Sequence, residues 1–341
     1  MNANNPYKQQ ARDVEISQPP PDSVSELAFS SKANYLAASS WDNEVRIWEI
    51  QSNGTSMGKA SFAHQAPALC CAWSQDGTKV VSGGADKAGR MFDLGTGQSS
   101  QIAQHDAPIR CIKFVEAANA SPIVATAGWD KMLKYWDLRQ QTPIGTVTLP
   151  ERAYAMDCSN PLLVVATAER KVVIFDMTSP TTPFETVDSP LKWQTRAVSC
   201  FVKKDGYAIG SIEGRVGIQY IDPKMKTSNF SFKCHRDTKV PINTAVYSVN
   251  SIAHHPVYGT FATASNDGSF VFWDKDSKHR IAAHTDIGGP VISSAFSGDG
   301  KLFAYAIGYD WSQGYMGNTS NVKNTIMLHA VIDSEVKPKA R

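Results

Sequence analysis

One short pattern recurs along the whole chain and limits what this sequence can fold into. A run of small residues leads into a turn with an acidic residue, then five residues, then an aromatic residue. Clear copies occupy residues 37–48 (AASSWDNEVRIW), 81–92, 125–136 and 262–273. Degenerate copies occupy 166–175 and 210–219, and an insertion interrupts a last copy at 306–330. Self-similarity of this kind is the signature of a repeat architecture.

The spacing of the copies identifies the repeat. The equivalent strand position recurs at intervals of 44, 44, 39, 44, 54 and 55 residues, at Trp48, Phe92, Trp136, Phe175, Gln219, Trp273 and Leu328. WD40 repeats are about 40–45 residues long, and each forms one four-stranded propeller blade. The sequence therefore predicts an all-β, seven-bladed WD40 β-propeller, with insertions in blades 6 and 7.

The chain ends bear on how such a ring closes. The last repeat ends near residue 330 and lacks an outer strand, and the N-terminal run Asp13–Ser17 (DVEIS) is the natural donor. This pairing would hide two sheet edges in one contact. We predict one propeller domain over residues 11–333 and flexible tails over 1–10 and 334–341.

Composition excludes several classes of protein. The 341 residues carry a net charge of +2, so no global field draws the chain to nucleic acid. No apolar run reaches about 18 residues, so no membrane insertion is expected. The N-terminal residues are polar and include no apolar segment typical of a signal peptide, so we do not expect secretion. Six cysteines without a CxxC pair indicate reduced thiols in a nucleocytoplasmic protein, with no metal site and no cofactor.

Two sets of polar residues look like catalytic triads when written out. One interpretation is nucleophilic catalysis. The other is a structural network, in which a His, a Ser or Thr, the turn Asp and the strand Trp hydrogen-bond within each blade. Repetition in register favours the structural network, because a catalytic site is built once. The residues assigned to this network are His64, Ser82, Asp86, His105, Thr126, Asp130, Trp136 and Asp267.

Charge is concentrated in one stretch. Residues 192–239 hold ten Lys or Arg against four acids, a local excess of +6, so the remainder sums to −4. The stretch is either a solvated basic face or a site for an acidic partner. Arg215 follows the turn acid of the degenerate blade 5, and Arg236 lies in the connection into blade 6. Both positions are expected on the top of a propeller, where a partner's glutamates would reach them.

Two further groups are candidates for binding. Trp41 and Trp129 precede the turn Asp of blades 1 and 3, and Trp311 follows Asp310 of blade 7. They indicate either a peptide-binding rim or packing between blades. The second group combines basic and aromatic residues that suit nucleic-acid contacts, although a polar turn explains the cations and a core position explains the Trp. Its members are Trp273, Lys275, Lys278 and Arg280.

Several strings together resemble one family. They are IAQHDAPI (102–109), LPERAY (149–154), VVATAER (164–170), GSIEGRV (210–216), FKCHR (232–236), SNDGSFVFWDKD (265–276) and FAYAIGYDWSQG (303–314). From about residue 6 onward the chain resembles the nuclear-pore mRNA export propellers of the Rae/Gle family. GSIEGRV and FKCHR are also similar to the sister family of mitotic checkpoint propellers.

The resemblance implies a non-catalytic scaffold. Family members bind a GLEBS segment of an FG nucleoporin across the propeller top, where glutamates meet arginines. Those positions correspond here to Arg215 and Arg236, with Lys233 close by. The family also contacts single-stranded RNA, which the stretch from Trp273 to Arg280 would carry. It further implies a nuclear-pore location with shuttling to the cytoplasm, as a monomer or a heterodimer with the nucleoporin.

Other functions stay open on the sequence. A mitotic checkpoint adaptor would use the same top face for GLEBS motifs of kinetochore proteins. A WD40 substrate adaptor of a ubiquitin ligase would recover ligase subunits instead of nucleoporins. An enzyme is the least favoured reading, because no P-loop, no GxGxxG after a strand and no HExxH motif occurs.

Overall fold

The computed structural model describes residues 13–51, 54–115, 123–237, 244–319 and 323–338. In this part of the chain, the strands form seven four-stranded antiparallel sheets and a two-stranded ribbon. The first strands of successive sheets contact one another around a closed ring. The predicted all-β, seven-bladed propeller is therefore confirmed. We call the sheets blades 1–7, and their strands a to d from the centre outward.

Each of the first three blades corresponds to one copy of the sequence repeat. Blade 1 consists of Val24–Phe29, Tyr35–Ser40, Glu44–Ile50 and Ser56–Ala63. Blade 2 consists of Ala68–Trp73, Lys79–Gly84, Ala88–Asp93 and Gln98–Gln104. Blade 3 consists of Ile109–Val115, Ile123–Gly128, Met132–Asp137 and Gly145–Thr148.

The degenerate copies fold into blades of the same kind. Blade 4 consists of Ala153–Ser159, Leu162–Thr167, Lys171–Asp176 and Pro183–Asp188. Blade 5 consists of Thr195–Cys200, Gly206–Ser211, Arg215–Tyr220 and Phe230–Lys233. Blade 6 consists of Val249–His254, Phe261–Ser265, Ser269–Asp274 and His279–His284.

The extra residues of the long repeats lie between strands. The ribbon of Arg236–Asp237 and Ala245–Val246 lies between blades 5 and 6. One-turn 3₁₀ helices occur at Ala168–Arg170 and Tyr315–Gly317, and a longer one at Pro223–Ser228. A short α-helix, Asp333–Val336, follows the last strand. None of the described helices is long and apolar enough to span a membrane.

The N-terminal segment completes blade 7. This blade takes strands a to c from Val291–Phe296, Leu302–Ile307 and Thr325–Ala330, and strand d from Val14–Glu15. Val14 lies opposite Leu328 in an antiparallel pairing. The Ile16 amide donates to the Ile326 carbonyl at 3.0 Å, and Ile16 is buried. The predicted closure of the last blade by an N-terminal strand is confirmed.

The structure describes part of the predicted C-terminal tail but none of the predicted N-terminal tail. The expected tail at residues 1–10 lies outside the described residues. The expected loose tail over 334–341 is wrong for its first part, because the helix Asp333–Val336 packs on the propeller. Val336 is 1% exposed, and its carbonyl accepts a 2.7 Å hydrogen bond from the Thr260 hydroxyl. One buried apolar side chain and one anchored carbonyl hold this segment.

The hydrophobic core lies between neighbouring blades. In strand b of blade 1, Leu36 and Ala38 face blade 7, whereas Ala37 faces blade 2. Because each strand alternates its side chains between two faces, both faces of a blade are buried against neighbours. This explains why the repeat places small and apolar residues in strand b, and why its polar groups gather in the turns.

Candidate functional site

All six residues predicted to bind a peptide lie at one end of the ring. Successive strands of a blade run in opposite directions. The b–c turns and the d–a connections therefore share one end, which we call the top face. The six residues in these turns and connections, or at the strand ends next to them, are Trp41, Trp129, Arg215, Lys233, Arg236 and Trp311.

The b–c turn of blade 5 brings the two predicted arginines together. Gly214 has a left-handed φ of 59°, and a Cβ there would lie 2.6 Å from the Cys234 carbonyl oxygen. A glycine therefore allows this turn to approach the d–a connection that carries Arg236. Arg215 begins strand c directly after the turn and lies opposite Lys233 on strand d.

Both arginines contact the same carboxylate. Nη2 of Arg236 donates to the Glu213 carbonyl at 2.8 Å and lies 3.3 Å from its Oε1. Nε of Arg215 lies 3.7 Å from Oε2 of Glu213. Two guanidinium groups thus share one acid, and the exposed Lys233 ammonium adds a third positive charge beside them. The cluster keeps a local excess of two positive charges, and the arginine side chains stay 30% and 16% exposed.

Two of the predicted tryptophans form a stacked pair. The rings of Trp41 and Trp311 lie 4.2 Å apart between centroids with an angle of 23°. They come from blades 1 and 7, which are adjacent in the ring. Nε1 of Trp311 is buried and has no hydrogen-bond partner among the described residues. Trp129 is separate from this pair and is 42% exposed.

The three tryptophans surround the mouth of the central channel. The channel has a volume of about 680 Å³, and strands a of all seven blades line it. Arg110 and Arg196 line its top end, where Arg110 donates to the Leu69 carbonyl at 3.3 Å and Arg196 donates to the Asp310 carbonyl at 3.0 Å. Burial, and next the charge of Arg110, lower the pKa of Arg196. The channel mouth therefore combines aromatic surface with two arginines, and the charge of Asp310 only partly offsets theirs.

Sequence reasoning assigned no role to several residues of this face. Arg110 and Arg196 occupy the second position of strand a, where a one-residue shift in the pairing with strand b interrupts the alternation, so the sequence pattern did not point them into the channel. Exposed apolar side chains also extend the face from blade 4 towards blade 6. These are Trp193, Ile212 and Val246. Isolated apolar residues in turns carry no pattern, so the sequence alone did not select them.

The structural network recurs in three blades. In blade 3, His105 Nδ1 lies 2.9 Å from Asp130 Oδ2, and its Nε2 lies 2.8 Å from Thr126 Oγ1. Trp136 Nε1 donates to that hydroxyl at 2.8 Å. Blade 2 repeats the arrangement without the indole, since Phe92 takes the Trp position. Its three members are His64, Ser82 and Asp86.

The network suits a structural role better than catalysis. The hydroxyls of Ser82 and Thr126 belong to residues that are 0% exposed, so no substrate reaches them. Burial, only partly offset by the facing carboxylates, lowers the pKa of both His64 and His105. A Cβ at Gly128 would lie 2.7 Å from Asp130 Oδ1, which is why a small residue precedes the turn.

Blade 6 contains a third copy of the hydrogen-bond network, and Trp273 is part of it. His235 bridges Asp267 at 2.9 Å and Thr263 at 2.8 Å, and Trp273 Nε1 donates to the same threonine hydroxyl at 2.8 Å. The Trp273 ring also packs 4.7 Å from that of Phe232. Trp273 is thus hydrogen-bonded inside blade 6 and packs, partly buried, against the core, as a strand-c position implies. The sequence reading missed His235.

The predicted RNA group is divided by the structure. Lys275 is 6% exposed, its Nζ lies 2.6 Å from Asp276 Oδ1, and it sits 5.1 Å from the Phe201 ring centre. Its assignment as an RNA contact is contradicted, because its charge is buried and paired. Lys278 and Arg280 are exposed. They lie at the c–d turn of blade 6, which is opposite to the top face.

These features define a class of protein, a WD40 β-propeller with a basic and aromatic top face. The family model of the WD domain, G-beta repeat, matches residues 16–49, 59–93, 97–137 and 228–274. Relatives match almost the whole chain. The poly(A)+ RNA export protein of Schizosaccharomyces pombe is 57% identical over 330 residues, which cover 97% of this chain and 94% of the relative.

Two other relatives agree. The mRNA export factor GLE2 of Chaetomium thermophilum is 50% identical, over 96% of this chain and 92% of its own length. The protein RAE1 of Arabidopsis thaliana is 46% identical, over 97% and 94%. The chain therefore belongs to the Rae/Gle family of WD40 mRNA export factors, and this membership supports a role in mRNA export.

Proposed function

We propose that this propeller is a non-catalytic scaffold in the nuclear export of poly(A) mRNA. It would dock at the nuclear pore complex by binding the GLEBS segment of an FG nucleoporin across the top face. The observation that carries the proposal is the pair Arg215 and Arg236, held against the single carboxylate of Glu213. The names of the relatives supply the export role, and the site supplies the acidic character of the partner.

The proposed binding mode follows from charge and exposed surface. Glutamates of the partner would add to or replace Glu213 at the two guanidinium groups, since charge-assisted and bidentate hydrogen bonds are the strong ones. Apolar side chains of the segment would cover Trp129 and Trp193, which are 42% and 56% exposed. A disordered segment must offset its ordering entropy on binding, so both contributions are needed.

A scaffold role accounts for the polar clusters without chemistry. The His-Ser/Thr-Asp sets recur in blades 2, 3 and 6 and are buried. Their hydrogen bonds satisfy polar groups that would otherwise be costly inside a protein. We therefore propose no catalytic residue, and a partner held as a one-to-one heterodimer at the nuclear envelope.

Direct contact with single-stranded RNA is proposed only for the exposed c–d turn of blade 6. Lys278 and Arg280 supply two cations there. Two phosphate contacts give weak, salt-dependent binding. The RNA contribution of the chain alone is therefore expected to be small beside that of the nucleoporin.

Calorimetric titration with two synthetic peptides tests the proposal. One peptide carries the GLEBS segment of an FG nucleoporin, and the other carries the GLEBS segment of a kinetochore checkpoint protein. A scrambled nucleoporin peptide of the same composition controls for bulk charge. We expect the nucleoporin peptide to bind most tightly. Preference for the checkpoint peptide would move the chain to the alternative, a mitotic checkpoint adaptor, and equal binding of the scrambled peptide would refute a specific site.

A further inference from the structure

Four ionisable side chains meet at the outer seam between blades 6 and 7. They come from four separate elements of the fold. Asp13 precedes the N-terminal strand, His284 ends strand d of blade 6, His329 lies on strand c of blade 7, and Glu335 lies in the C-terminal helix. The cluster therefore joins both ends of the described chain to two blades. It includes none of the peptide-binding candidates and belongs to no repeat network.

Three of these side chains converge on one point. His329 Nε2 lies 3.0 Å from Glu335 Oε2, and His284 Nε2 lies 3.7 Å from Glu335 Oε1. All three potential ligand atoms lie within 4.8 Å of one another. His284 Nε2 is buried and has no hydrogen-bond partner among the described residues. Such a polar atom is costly unless something else binds it.

We propose that His284 Nε2, His329 Nε2 and the Glu335 carboxylate bind one zinc ion. Imidazole nitrogen and carboxylate oxygen are common zinc ligands, at about 2.0–2.2 Å from the metal. A tetrahedral arrangement at such lengths separates neighbouring ligand atoms by about 3.4 Å. The separations that involve Glu335 fall on either side of that value, at 3.0 Å to its Oε2 and 3.7 Å to its Oε1. A small turn of the carboxylate would present one oxygen to both histidines, and all three ligand atoms lie within 4.8 Å of one another.

The surroundings orient a ligand set of this kind. His329 Nδ1 lies 2.8 Å from Asp13 Oδ1, and the Tyr305 hydroxyl donates to Asp13 Oδ2 at 2.6 Å. Zinc-ligating histidines commonly give their other ring N–H to a carboxylate in this way, which fixes the tautomer. The Phe270 ring stacks on His284 at 4.5 Å. The candidate ligand side chains are only 8–13% exposed, so the site is largely shielded from solvent.

Zinc at this site would fasten the ring where the chain ends meet. It would connect the outer strand of blade 6, strand c of blade 7 and the C-terminal helix. Through His329 it would also fix Asp13 and the closing strand. A ligand that binds the native state and not the unfolded chain raises the melting temperature. Zinc is therefore expected to stabilise the closed ring, and not to take part in peptide binding.

The test uses the full, untagged chain after removal of metal with EDTA. Calorimetric titration with zinc sulfate at neutral pH is expected to give one saturable site, and thermal unfolding is expected to shift upward by several degrees. Cobalt(II) in place of zinc should give the visible absorption of a tetrahedral site. His284→Ala is expected to abolish all three signals, while circular dichroism in EDTA shows that the variant is folded.

A matched variant lies on the same strand. His279→Ala removes the exposed histidine at the other end of strand d in blade 6, and it is expected to bind zinc like the wild type. Asp13→Asn leaves the three ligands in place and is expected to weaken zinc binding about 10- to 100-fold. Absence of saturable binding to the wild type, or unchanged binding by His284→Ala, would overturn the proposal and leave an ion-paired cluster.

Discussion

Blades 3 and 5 have the same four strands and differ in what their top turns hold. In blade 3, the turn acid Asp130 is committed to His105, and the chain of hydrogen bonds continues through Thr126 to Trp136. In blade 5, the turn acid Glu213 faces two arginines at the surface. The same position in the repeat thus serves internal hydrogen bonding in one blade and surface charge in the other.

The difference shows where a repeat protein has room for function. Blade 3 uses its polar residues to satisfy one another inside the fold, so their loss removes stability. The described residues of blade 5 form no such network, and inter-blade packing holds the blade instead. Val216, Ile218 and Tyr220 are buried in that packing. A blade that depends on apolar contacts can carry exposed cations in its turn, and departure from the repeat pattern marks the candidate site.

We expect the largest effect when the two arginines at the top of blade 5 are replaced. Arg215→Glu combined with Arg236→Glu should lower affinity for the nucleoporin GLEBS peptide at least 1000-fold, about 4 kcal/mol. Each lost pair leaves a partner carboxylate unpaired, which typically costs about 2–5 kcal/mol. Calorimetry measures the affinity, and thermal unfolding is expected to show a folded propeller.

A charge-matched variant controls for that experiment. Lys203→Glu with Lys204→Glu makes the same change of charge at the exposed a–b turn of blade 5, which lies on the opposite face. This pair is expected to bind the peptide like the wild type. If both double variants lose affinity equally, long-range charge explains the effect and the site is misplaced. Wild-type affinity of the arginine variant would also reject the site.

Blade 3 is tested by removal of its turn acid. Asp130→Ala should lower the free energy of unfolding by about 2–4 kcal/mol, because the buried His105 loses its partner. Peptide affinity is expected to stay unchanged. Urea unfolding measures the loss. The control Glu169→Ala removes the exposed acid of the equivalent turn in blade 4 and should change stability by no more than about 0.5 kcal/mol. If both variants lost the same free energy of unfolding, the hydrogen-bond network would not be what stabilises blade 3.

The pH dependence of stability tests the contact between blades 5 and 6 at His254. Burial, and next the charge of Lys275, lower the pKa of His254 to about 3. Its Nδ1 lies 2.8 Å from the Ser199 hydroxyl of blade 5. Below pH 6.5 the His254 side chain becomes protonated in the unfolded chain and stays neutral in the native state. The free energy of unfolding therefore decreases as the pH falls through that value. This histidine alone should remove about 1.5 kcal/mol between pH 6.5 and 5.0.

The measurement is urea unfolding at both pH values. His254→Gln, which has no titrating ring, is expected to lose about 1.5 kcal/mol less than the wild type over the same interval. The comparison concerns the pH dependence, so a constant loss of stability in the variant does not disturb it. An identical pH dependence in the two proteins would show that His254 is already protonated in the native state at pH 5.0.

The smallest expected effect concerns Glu213 itself. Glu213→Gln should tighten peptide binding about two- to fivefold, because the acid competes with the partner for Arg215 and Arg236. Glu185→Gln removes an acid on strand d of blade 4, where it pairs with Lys226, and should leave the affinity unchanged. Weaker binding by Glu213→Gln would mean that this acid positions the arginines and does not compete.

Much of this architecture was readable from the repeat. The period defined seven blades, and the missing outer strand of the last repeat predicted its closure by the N-terminal segment. The C-terminal helix was missed, because four residues with a single apolar anchor, Val336, carry no periodic signal. Lys275 was misread for a related reason. Its sequence neighbours are polar, while the Phe201 and Tyr220 rings that bury it come from blade 5.

The sequence by itself determined the ring, the number of blades and the end of the ring at which Arg215, Arg236 and the tryptophans lie. These follow from local spacing, since strand alternation and turn position repeat with the chain. Only the tertiary structure decided which of these residues meet. It stacked Trp41 on Trp311, directed Arg110 and Arg196 into one channel, and brought His284, His329 and Glu335 together. Such contacts join distant repeats, so their distances depend on how the blades pack around the ring and on how it closes.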